Sequence, residues 1–165
     1  MKKLIFLALL ASMLLTGVSC GKDKDSIVLK GESELGEEIT IKMECPADSG
    51  IVYSEGDTEA CAIFTDEEDC YEVYVEILAD TYTDFDYFRE DTMIYSPVTL
   101  GGSEAYLLDQ GDLLIYYVPL GEFGDEFVYL EIYALSLVYD SSVDLKAMMA
   151  KPEINELMSS IKHEY

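Results

Sequence analysis

The chain has 165 residues, with 34 Asp+Glu against 10 Lys+Arg and a single histidine, for a formal net charge of −24 at pH 7. Half of the residues are hydrophobic, which excludes wholesale disorder and leaves a folded domain with a strongly acidic surface. Arg89 is the only arginine, so the clustered cations that a phosphate backbone requires are missing and nucleic acid is excluded as a partner.

The first element in chain order is an export signal. Lys2 and Lys3 form a positive start, Leu4–Leu15 is an apolar run broken only by Ser12, and Gly17-Val18-Ser19 are small residues leading to Cys20. The apolar run falls short of the roughly 20 residues a bilayer-spanning helix needs. The segment resembles a bacterial lipoprotein signal, although Gly17 stands where leucine is usual. The resemblance implies cleavage before Cys20 and lipidation (palmitate among the chains) of its thiol. It also implies a membrane anchor and a place on the extracytoplasmic side of a bacterial cell envelope. Loss of residues 1–19 removes Lys2 and Lys3 and no acid, so the remaining chain is more negative still.

Residues 20–37 are polar and glycine-containing and are expected to form a tether, with Ile27-Val28-Leu29 able to make a short edge strand. Residues 38–165 are expected to form one domain. Ile39, Ile41, Met43 and Cys45 alternate with polar residues in a strand that Pro46 ends. Strands follow at Ile51–Tyr53, Ala60–Phe64 and Tyr71–Ala79, the last two joined by the hydrophilic stretch Thr65–Asp69. In Tyr71–Ala79, Val73, Val75 and Ile77 share one face and Glu72, Tyr74 and Glu76 the other, the pattern of a sheet covered on one side. Thr81–Thr92 reads as a helix with acids in its first turn. Pro97–Leu100, Ala105–Leu108, Leu113–Val118 and Phe127–Leu137 are further strands, with Gly101-Gly102 and Gln110-Gly111-Asp112 as turns. Val143–Met149 and Ile154–Ile161 read as helices, with Pro152 in the first turn of the second and Lys162 and His163 at its end. The fold class expected is α+β: a mainly antiparallel sheet with one mid-chain helix and a C-terminal helix packed on it.

Three phrases carry a further likeness: Ile39–Pro46 as an opening strand ending in proline, Val98–Tyr106 as a strand–glycine–Ala-Tyr segment, and Ile154–Lys162 as a closing helix. Together they resemble the PsbP-like superfamily of small α/β domains. That family has diverse binding roles and no shared catalytic motif, so the resemblance implies a fold and no chemistry.

Catalytic signatures are scarce. His163 lies two residues from the C-terminus, where it is expected to be solvated, and neither Ser49 nor Ser103 sits in a GxSxG setting. Cys45, Cys61 and Cys70 form no CxxC pair; at most one disulfide can form among them, in three possible pairings, and Cys45 reads as a small core residue. Asp66, Glu67, Glu68 and Asp69, with Asp109, Asp112 and Asp125, offer oxygen ligands for calcium but lack the spacing of a calcium loop, so no metal site and no cofactor are expected. The chain is therefore expected not to be an enzyme; a small carboxylate-dependent, calcium-assisted hydrolase is the alternative. Tyr74, Tyr129 and Tyr133 are the candidate ligand-binding residues. Tyr129 and Tyr133 share a strand face with Glu131, Tyr116 or Tyr117 must join them, and tyrosine offers rigid area with a polar tip. Such a patch suits a sugar, a peptide or a cationic protein; cross-strand pairing or cover by a helix is the plainer account. Ser49–Tyr53 is also similar to the SGxxY loop of bacterial lysozyme inhibitors, which implies a cationic enzyme as an alternative partner.

Overall fold

The computed structural model describes residues 18–19, 25–33, 36, 38–46, 49–56, 58–66, 71–80, 85–123, 126–137 and 144–164. Among the described residues, eleven strands and three helices follow one another: β1 (Val18–Ser19), β2 (Asp25–Glu32), β3 (Glu38–Cys45), β4 (Val52–Glu55), β5 (Cys61–Asp66), β6 (Tyr71–Asp80), α1 (Phe85–Glu90), β7 (Tyr95–Leu100), β8 (Ser103–Asp109), β9 (Leu113–Phe123), β10 (Glu126–Ser136), α2 (Leu145–Met149), α3 (Pro152–Ser159) and β11 (Lys162–Glu164). The structure is mostly antiparallel β-sheet with a few short helices, as the alternating patterns imply. The large sheet has eight strands in the order β1-β4-β5-β6-β10-β9-β8-β7, and a second sheet has three in the order β11-β3-β2.

One face of the large sheet carries the core. Phe64, Tyr71, Val73, Val75, Leu114, Leu130, Ile132 and Ala134 are all buried there. The small sheet covers them with Ile27 and Leu29 from β2 and Ile39, Ile41 and Met43 from β3, helped by Leu145, Met148 and Met149 of α2 and Ile154, Leu157 and Met158 of α3. The sheets approach each other tightly at Gly31, where an added Cβ would stand 3.0 Å from Ile77 Cγ2. Next to it the Lys30 amide donates to the Glu59 carbonyl at 2.7 Å.

Two stretches depart from the sequence reading. Residues 25–32, read as tether apart from a short edge strand at Ile27–Leu29, form a full edge strand of the small sheet, paired along its whole length with β3, because Ile27 and Leu29 alternate into the core. Lys162 and His163, read as the end of the last helix, belong instead to a strand pairing with Lys42 and Ile41. The helix stops at Ser159; the Ser160 hydroxyl donates to the Leu157 carbonyl at 2.6 Å and accepts from the Glu44 amide at 2.8 Å, which ties the helix end to β3. Thr81–Asp84, the start of the expected mid-chain helix, lies outside the described residues. Asp144 caps α2, accepting from the Ala147 amide at 3.1 Å.

Gly101 and Gly102 make the two-residue turn between β7 and β8, with φ of +58° and +88°. Gly101 also lies against α3: an added Cβ would be 2.4 Å from the Met158 carbonyl carbon.

Candidate functional site

The register of the strands builds the face opposite the core. Cys61, Glu76, Glu131, Tyr117 and Tyr106 are successive partners across β5, β6, β10, β9 and β8. The adjacent row runs Ile63, Tyr74, Tyr133, Ile115, Leu108 and Tyr95. Of the three sequence-picked tyrosines, Tyr74 and Tyr133 are therefore directly opposed, and their rings meet edge to face at 6.3 Å. Both are half-buried, whereas Tyr129 is buried. Tyr117, not Tyr116, joins this face; Tyr116 points into the core, where burial and then the Asp109 charge push its hydroxyl up to about 12.

The cover over Tyr129 comes from α1. Phe88, itself 3% exposed, stacks on Tyr117 at 4.7 Å and on Tyr106 at 5.6 Å, and meets Tyr129 at 6.3 Å. The face is thus divided. A short helix roofs the part built from β8, β9 and the start of β10, whereas Glu76, Glu131, Tyr74 and Tyr133 stay partly exposed.

Charge on this face is one-sided. Burial, and then the charge of Glu131, raise the Glu76 carboxyl above the usual carboxylate range. Burial also raises Glu72, against a lowering hydrogen bond from Thr65. The hydroxyls of Tyr117 and Tyr133 hydrogen-bond to the Glu131 carboxylate, and both are held well above the ordinary tyrosine value, by burial first and by Glu131 next. Arg89 on α1 is engaged at the margin: its Nε donates to the Tyr106 hydroxyl at 2.9 Å and its Nη1 to Asp86 at 3.1 Å, with Glu104 3.9 Å away. The described lysines are elsewhere. Lys30, Lys42 and Lys162 are on the small sheet, Lys146 is on α2 and Lys151 heads α3.

The other sequence candidates fall apart in space. Cys20 lies outside the described residues, as do Glu67, Glu68, Asp69, Cys70 and Asp125. Asp66 ends β5 and is buried; Asp109 pairs with Lys146 and accepts from the Gly111 amide at 2.9 Å. Among the described residues no group of three or more His, Cys, Asp or Glu is placed to hold a metal ion, and no helix is long and apolar enough to cross a membrane. Cys45 is fully buried, as its phase in β3 implies, and is disulfide-bonded, while Cys61 is buried and in no disulfide. Tyr53 of the SGxxY phrase packs on Phe64 at 5.8 Å and lines a cleft of about 420 Å³ with Lys30, Glu55 and Glu59.

Sequence reasoning found Tyr74, Tyr133 and Glu131 by alternation. It missed Glu76 as a site residue, because only the pairing of β6 with β10 sets it against Glu131. Comparison with family models, with characterised proteins and with solved structures finds no match to this chain.

Proposed function

We propose that the protein is an exported lipoprotein, held to the membrane through Cys20, whose domain is a non-catalytic binding module working through the open face of its large sheet. One observation carries the binding part: on the sheet face turned away from the core, half-buried tyrosines stand around two partly exposed carboxylates. Rigid amphipathic rings with fixed acceptors suit recognition rather than turnover. The signal-like segment ending at Cys20 supports the anchor; cleavage there also removes β1 (Val18–Ser19) from the edge of the large sheet and leaves β4 as that edge. For the fold we propose the PsbP-like arrangement, supported by the antiparallel sheet and the C-terminal helix packed on it.

Detergent phase partitioning tests the anchor. The full-length chain should enter the detergent phase and a Cys20→Ala chain the aqueous phase; both in the aqueous phase refutes it. Peptide and glycan arrays test the face. The full-length chain should bind a ligand class that the double variant Tyr74→Ala/Tyr133→Ala loses. Array binding indifferent to that variant removes the face from consideration.

A further inference from the structure

We infer that the opposed carboxylates Glu76 and Glu131, with the rings of Tyr74, Tyr117 and Tyr133 beside them, receive the guanidinium of an arginine side chain from a basic protein partner. This rests on the reading of the open face as a binding surface and names what that surface takes.

Four observations converge on this occupant. The two glutamates are direct cross-strand partners on the middle pair of the large sheet, an arrangement that is destabilising for like charges. No described cation offsets them: the lysines stand on the covering layer and Arg89 is engaged with Asp86, Glu104 and Tyr106. An incoming cation would therefore relieve a repulsion already present in the fold.

The patch is also prepared for it. Phe88 stacks on Tyr117 and Tyr74 meets Tyr133, so the rings beside the pair are held in place before anything binds. The edge-to-face contact between Tyr74 and Tyr133, at an interplanar angle of 76°, turns the two rings in different directions beside the pair.

The chemistry selects among cations. A guanidinium is planar and weakly hydrated, forks onto carboxylates and stacks on aromatic rings, so it uses both components of the patch. An ammonium is compact and strongly hydrated and uses mainly the charge. Calcium takes roughly six to eight oxygen ligands, far more than two carboxylates supply. A basic protein also suits the long-range field of a chain with formal charge −24, which speeds the approach of such a partner.

The test is titration of the full-length chain in neutral detergent with hexa-arginine, hexa-lysine and calcium chloride, each at low and moderate salt. Hexa-arginine should bind about tenfold or more tightly than hexa-lysine, a preference about the size of a cation–π and bidentate gain. Glu76→Gln/Glu131→Gln should remove at least about tenfold of the hexa-arginine affinity while its melting temperature stays at or above wild type. Tyr133→Leu should narrow the arginine–lysine gap. Equal binding of the two peptides, unchanged in the double glutamine variant, would show general surface charge and overturn the proposal. So would calcium competing with hexa-arginine at equal site occupancy. Should the arrays yield only neutral ligands lost on tyrosine truncation, the open face remains a binding surface and the arginine assignment alone fails.

Discussion

Glu76 and Glu131 stand directly across from each other on β6 and β10, the middle pair of the eight-stranded sheet, on the face turned away from the core. Their neighbours along the row are Cys61 on one side and Tyr117 on the other, so neither has a cation in its row.

Removing one of the two charges should stabilise the fold. The Glu76 carboxyl is raised in the folded state, by burial first and by Glu131 second, so its ionised form opposes folding. The penalty is full above the folded-state value and absent below the ordinary glutamate range. Glu76→Gln should therefore gain about 0.5 kcal/mol near pH 7.5, within the cross-strand range, and the gain should fade as pH drops through the carboxylate range toward 4. Urea melts of both proteins at the two pH values measure it. A Glu76→Gln protein that is less stable at pH 7.5 would contradict the assignment.

Two adjacent glycines separate backbone strain from collision. Gly101 and Gly102 both have positive φ, but only Gly101 has the Met158 backbone in the space of a Cβ; Gly102 has nothing within 4 Å. Gly102→Ala should cost about 1 kcal/mol, the conformational term alone. Gly101→Ala should cost at least about 2 kcal/mol more, because backbone must shift. Equal losses in denaturant melts would mean that α3 does not press on this turn.

The cysteines give a prediction that joins fold to address. Cys45 is disulfide-bonded, Cys61 stands outside any disulfide, and an acylated Cys20 has no thiol to pair. The proposed anchor therefore requires Cys45–Cys70. Peptide mapping without reduction should recover that pair, with Cys61 alkylated only after unfolding. By the loop-closure relation the bond should contribute about 3 to 4 kcal/mol. Recovery of a Cys20–Cys45 peptide would end the lipid assignment.

Phe88 holds α1 to the sheet through four tyrosines: Tyr95, Tyr106, Tyr117 and Tyr129. Phe88→Ala should cost about 3 kcal/mol, in the range for removal of a buried ring, and should weaken the near-ultraviolet dichroism of the tyrosines beneath. A stable variant with unchanged dichroism would mark the helix as detached.

Much of this was legible in the sequence where local alternation governs. The strands of the large sheet, the Gly101-Gly102 turn and the Pro152 helix all follow from period-2 or period-3.6 patterns and turn residues. So does the sharing of one face by Tyr133 and Glu131. β2 was obscured because Lys30, Glu32 and the flanking polar residues outweigh the single pair Ile27 and Leu29. β11 has no apolar alternation at all; Lys162–Glu164 is held by backbone pairing to β3, which local sequence does not encode. Register is the larger gap. Glu76 and Glu131 are far apart in the chain, and their opposition depends on how two whole strands slide past each other, fixed by the burial of Val73, Val75 and Ile77 against Ala134, Ile132 and Leu130.

The placement of the lysines has a consequence for posture. Acids occur on both layers, but the five described lysines occupy only the layer formed by the small sheet and the two C-terminal helices. Among the described residues, the face turned away from the core thus holds carboxylates with Arg89 as its one cation, and the lysines lie on the layer behind it. In the proposed lipid-anchored form a short leash would hold the domain close to anionic headgroups, whose field decays over about 8 Å. The lysine-bearing side would then turn toward the lipid and the tyrosine–carboxylate side toward whatever approaches from outside. Paramagnetic headgroups should broaden the resonances of Lys42 and Lys162 ahead of those of Tyr133; the reverse order would mean that the domain lies face down.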